Sequence, residues 1–156
     1  MTAKEKIIID ASDLILGRMS SFIAQRILRG QEIIVLNAER AVISGNRTSI
    51  VLRYKKRNRV RTATNPKRGP FLQKRPDYLV FRTVRGMVPW KIPSGRNAMK
   101  RLSVYIGTPD EYQGSDAKTL HDITSEKLPL QAKGISVGEL SIELGWNGRR
   151  YMDSLN

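Results

Sequence analysis

Apolar residues first cluster at 6–10, Lys-Ile-Ile-Ile-Asp, a short β-branched run of the kind that forms a buried strand. From Leu14 the period changes. Leu16, Met19, Ile23 and Ile27 recur every three or four residues, which predicts a helix with those side chains inward; Ser12 or Asp13 stands where a cap is needed and Gly30 where the helix must stop. A second apolar run, Glu-Ile-Ile-Val-Leu-Asn at 32–37, predicts another buried strand. Strand, helix and strand within about thirty residues form a βαβ unit, so the two strands are expected to pair in parallel. A third short strand is predicted at Ala-Val-Ile-Ser-Gly (41–45), and a helix from near Gly45 through "NRTSIVLRYKKRNRV".

The pattern then lapses. Residues 58–76 hold three prolines, one glycine and no sustained period, which reads as a long loop. Helical spacing returns after Pro76: Val80, Val84 and Met87 are predicted to face inward, with Arg75, Arg82 and Arg85 on another face and Pro89 as the stop. A short helix is expected from Ser94, with Met99 and Leu102 inward and Arg96 and Lys100 outward. "LSVYIG" (102–107) predicts a further strand, and "SVGELSIEL" (136–144) a late helix ended by Gly145. The fold class is therefore α/β, and at 156 residues the chain suits a single domain, 1–156.

Charge changes this picture most. The chain has 28 basic and 14 acidic residues, a net charge of +14. The surplus is not spread out: residues 47–101 hold seventeen cations and one acid, Asp77, while the rest of the chain is close to neutral. A block of this kind implies a polyanionic partner. The cations are Arg47, Arg53, Lys55, Lys56, Arg57 and Arg59; then Arg61, Lys67, Arg68, Lys74 and Arg75; then Arg82, Arg85, Lys91, Arg96, Lys100 and Arg101. Arginine predominates, and its planar fork suits phosphate and base edges. Among the interleaved aromatics, Tyr54, Phe71, Tyr78 and Phe81 are expected to pack inward, whereas Trp90, between two prolines and beside Lys91, could equally stack on a base. Lys91 and Arg96 flank the positive end of the helix expected at Ser94, an arrangement that an anion would stabilise.

Enzyme chemistry finds little support. No phosphate-binding glycine loop or nucleophile elbow occurs, and Gly17 in "ILGR" reads as a close-packing residue rather than a phosphate loop. There is no cysteine and His121 is the one histidine, so neither a metal site nor a catalytic triad assembles; no cofactor and no small-molecule substrate are expected. Asp10, at the end of the first strand, is the best lone carboxylate and reads as a turn or cap. "NRT" (46–48) matches a glycosylation triplet, which the expected intracellular setting makes an accident. No apolar run reaches membrane-spanning length and no signal peptide is evident, so a soluble protein without a membrane partner is expected. Without a helix-turn-helix, zinc-finger or basic-zipper spacing to enter a major groove, folded RNA is the expected partner rather than DNA. An RNA-processing enzyme using Asp10 or His121, and a free messenger-RNA-binding regulator, are the alternatives.

Three segments, "DASDLILGRMSSFIA" (10–24), "LNAERAVISG" (36–45) and "RGMVPWKIPSGRNAMKRLSVYIG" (85–107), resemble the universal large-subunit ribosomal protein thirteen family. "RGPF" (68–71) and the short N-terminus look like its archaeal and eukaryotic form. The resemblance covers roughly residues 6–107. It implies a three-layer α/β/α core with a small, mostly parallel central sheet and a basic loop–helix insertion. It also implies a cytoplasmic, non-catalytic component of the large ribosomal subunit that binds large-subunit ribosomal RNA, supports assembly and lies beside neighbouring large-subunit proteins. Arg85, Gly86, Met87, Pro89, Gly95 and Arg96 fall in the family signature; RNA contact is expected of Arg85 and Arg96, and backbone geometry of the glycines and proline.

Overall fold

The computed structural model describes residues 6–114 and 134–148. Its central sheet has three strands, β1 (Lys6–Asp10), β2 (Glu32–Leu36) and β4 (Leu102–Val104), in the order β1-β2-β4 and all parallel. Parallel neighbours need a crossover, and α1 (Leu16–Leu28) supplies it between β1 and β2. Ile33 and Val35 join Ile7 and Ile9 in the main core, while Ile34 and Leu36 alternate to the other face and are buried too. The middle strand is thus covered on both faces, as its unbroken apolar run requires.

Helix α1 presents Leu16, Met19, Ile23 and Ile27 to that core as predicted, and it packs against α3 (Pro76–Gly86) and α4 (Pro93–Met99). Full burial of Val80 and Val84 fixes the inner face of α3, each contributing roughly 1.5–3 kcal/mol. The expectation for Met87 is wrong. Helix α3 ends at Gly86, so the next inward residue is Val88, and Met87 is left exposed. Capping of α1 by Ser12 or Asp13 also fails. The Ser12 amide and hydroxyl both donate to Asp10 Oδ1, at 3.0 and 2.8 Å, and Asp13 takes a left-handed φ of 59°. Leu14 and Ile15 are drawn alongside Val42, whose amide donates to the Leu14 carbonyl at 2.8 Å, so helix geometry waits until Leu16. Gly17 is exposed and a Cβ there would touch nothing, so it is no packing glycine.

The predicted third strand exists, but not in the parallel sheet. β3 (Val42–Ser44) pairs antiparallel with β5 (Gly134–Ser136), Val42 opposite Ser136 and Ser44 opposite Gly134. From β5 the chain enters α5 (Val137–Glu143), capped by the Ser136 hydroxyl accepting from the Glu139 amide and ended at Gly145 with φ 89°. Ile135, Leu140 and Leu144 meet Ile50 of α2 (Arg47–Arg59) in a second apolar cluster, which Tyr54, Val51 and Leu79 border.

One buried carboxylate was not anticipated. Glu39, in a 3-10 turn at Ala38–Arg40, is fully buried, and its Oε2 accepts from the Gly107 amide at 3.0 Å. With the Asn37 amide donating to the Gly107 carbonyl, it ties the exit from β4 to the turn after β2. Among the described residues no helix is long and apolar enough to cross a membrane. His121 lies outside the described residues.

Candidate nucleic-acid interface

The cationic block runs through three helices and the loops that join them. Arg53, Lys55, Lys56, Arg57 and Arg59 sit on α2, where Ile50 alone is buried. The last turn of α2 carries Lys56, Arg57 and Arg59, a favourable placement against the helix dipole. The loop that follows holds Arg61, Lys67, Arg68 and Lys74, all exposed, and Arg75 stands at the start of α3. A short 3-10 turn, Pro66–Arg68, gives the loop local order, with the Asn65 side chain accepting from the Lys67 amide at 3.2 Å. Arg82 and Arg85 lie on α3 and are partly buried; Trp90 and Lys91 lie in the turn beyond it; Arg96 and Lys100 are exposed on α4 and just after it. The expected start of α4 is one residue late, because Pro93 takes the first helical position.

Neutralisation within the described residues is sparse. Among the described residues, the only cations of the block in ion pairs are Arg47 with Glu139 (3.5 Å), Lys55 with Glu143 (2.8 Å) and Arg75 with Asp77 (2.9 Å). The Arg47 and Lys55 pairs are solvent-accessible and worth at most about 1 kcal/mol each; in the third, Arg75 is exposed while Asp77 is partly buried. The first two join α2 to α5. Arg101 is used differently: it is partly buried and donates to the Ile27 carbonyl at the end of α1, at 3.1 Å.

The aromatic residues divide. Phe81 packs on the main core and Tyr54 on the second cluster, as predicted. Phe71 and Tyr78 do not pack inward; they are 68% and 45% exposed, Phe71 because its loop has no inner face and Tyr78 because it lies off the Val80–Val84 stripe. Trp90 is also exposed, with the Arg85 guanidinium 4.4 Å from its ring centre. Exposed Met87 and Ile92 flank it.

The glycines of the signature have separate duties. A Cβ on Gly95 would collide with the backbone carbonyl of Pro89, so only glycine lets α4 settle against the Pro89–Trp90 turn and carry Arg96 with it. Gly86 has open space where its Cβ would be and no left-handed φ, so the geometric role expected of it is not found. Asp10 is a turn residue: its Oδ1 accepts from Ser12 and from Asn37 Nδ2 at 2.9 Å.

Folding also gathers side chains that no local pattern links. Tyr54, Arg57 and Asn58 from α2, Leu72 and Gln73 from the loop, Arg82 from α3 and Leu144 from the end of α5 surround a cleft of about 420 Å³. Asn58 and Gln73 carried no signal beyond their place in or beside the block.

Fold and surface define a class, a small α/β protein bearing an arginine-rich, under-neutralised segment between a short antiparallel strand and the last strand of its parallel sheet. The family model for ribosomal protein L13 matches residues 4–111, and the chain belongs to that family. It is 42% identical to the large ribosomal subunit protein uL13 of Archaeoglobus fulgidus over 90% of this chain and 88% of the relative. The uL13 of Methanocaldococcus jannaschii is 42% identical over 88% and 96%, and that of Caenorhabditis elegans 42% over 90% and 69%. Coverage this high carries the likeness past Gly107 into the C-terminal third.

Proposed function

We propose that this chain, acting as one domain over residues 1–156, is a structural constituent of the large ribosomal subunit in the cytoplasm. It binds large-subunit ribosomal RNA through residues 47–101, beside neighbouring large-subunit proteins, and serves assembly rather than catalysis. One observation carries the reading: seventeen cations face a single acid in that segment, and only three of them meet a carboxylate among the described residues. Phosphates are the counter-charges that would let such a surface exist without self-repulsion. The family membership supports the same conclusion, and the engagement of Asp10 in a turn weighs against its use as a catalytic acid or base.

The test is reversal of Arg57, Arg59, Arg85 and Arg96 to Glu. Binding to large-subunit ribosomal RNA should be lost while the circular dichroism spectrum is kept, and the variant should fail to enter large subunits. Normal incorporation would refute the assignment of the segment.

A further inference from the structure

The cleft between α2, the loop and α3 is furnished for more than phosphate. Leu79 and Leu144 line it with apolar surface and Tyr54 contributes an aromatic ring. Asn58 and Gln73 each bring an amide that both donates and accepts, the complement of a nucleobase edge. Arg57 and Arg82 add positive charge, and Arg82 has a buried Nη1 without a hydrogen-bond partner. Such an unpaired donor is costly and calls for an acceptor from elsewhere. The volume, about 420 Å³, falls within the range of small-ligand sites.

We propose that this cleft receives one unstacked base of the ribosomal RNA. The inference rests on the RNA-binding reading above and sharpens it: most of the block holds backbone, while this site reads a nucleotide. RNA is recognised by sequence chiefly where a base is splayed out, stacked on an aromatic or guanidinium plane and bonded along its edge, and those three kinds of group meet here. The positive charge around the cleft favours a base that arrives attached to its phosphates. That separates it from a neutral peptide side chain.

Gly86 provides the probe. It lines the cleft, and a side chain begun there meets no atom within 4 Å at Cβ, so Gly86→Leu narrows the space without removing a cation. Binding of a large-subunit ribosomal RNA transcript is measured across salt for the full chain, for Gly86→Leu, and for Asn58→Ala with Gln73→Ala, which needs no filling. Gly86→Leu should bind about tenfold more weakly or worse at fixed salt, the loss expected for one stacked base, and the double variant about tenfold more weakly through the loss of two edge hydrogen bonds. The log–log salt slope should not change, because the number of phosphates neutralised is the same. Irradiation of the complex at short wavelength should cross-link a base to the peptides bearing Tyr54 or Gln73, and Gly86→Leu should abolish that cross-link. If both variants bind as the parent does, with no base cross-linked in the cleft, the inference falls while the RNA-binding reading stands. Cross-links in purified subunits from the cleft to a protein would overturn it as well. If the unchanged chain fails to bind the transcript at all, both fall.

Discussion

At Gly95 an added methyl group would run into the carbonyl of Pro89, whereas at Gly86 it would enter open space. Ordinary helix propensity favours alanine over glycine at both, by up to about 1 kcal/mol. The collision reverses the sign at one of them. Gly95→Ala should cost about 1–3 kcal/mol in chemical denaturation, and Gly86→Ala should be neutral or slightly stabilising. A Gly95→Ala protein as stable as the parent would mean that α4 does not depend on close approach to the Pro89–Trp90 turn. The two positions look alike in the sequence, because each is a glycine beside an arginine. What separates them is the path of the chain six residues before Gly95, and no local pattern encodes that.

Among elements, those governed by their own residues were legible and those decided by distant partners were not. The βαβ unit and α5 emerge from spacing alone, since each apolar stripe matches one helix or strand period. The start of α1 was misjudged because Val42 pulls Leu14 and Ile15 into an extended path, and the true partner of β3 was missed because β5 is three residues long and far away in sequence. The same division holds for the interface. Charge density marks residues 47–101 in any window, but the cleft is built from α2, a loop, α3 and α5 and has no contiguous signature. That dependence on α5 is testable. Leu140 is fully buried in the second cluster, so Leu140→Ala should lose roughly 2–5 kcal/mol locally. Amide exchange should quicken along α2 and β3 and stay slow in β1 and β2, where contacts are made in the main core. Uniform acceleration would show instead that the two clusters unfold as one.

For the molecule as a whole, a net charge of +14 opposes folding. Screening by simple salt should therefore raise the melting temperature of the free protein, by roughly 2–4 °C for each kcal/mol of repulsion relieved. Large-subunit ribosomal RNA at low salt should raise it further, because a ligand that binds the folded state shifts the unfolding equilibrium. In the complex, added salt should then lower the melting temperature as phosphates are released. A free protein whose melting temperature is indifferent to salt would argue that its cations do not strain the fold.

The fastening of α2 has a consequence in time. Arg47 and Lys55 are restrained by Glu139 and Glu143, and Ile50 by Leu140 and Leu144, all of which are translated after the last arginine of the block. Chains are made from the amino end, and early segments can act before late ones exist. A nascent chain thus displays its whole polycation before α2 acquires its brace, and any polyanion near the exit site meets that helix before it is fastened to α5.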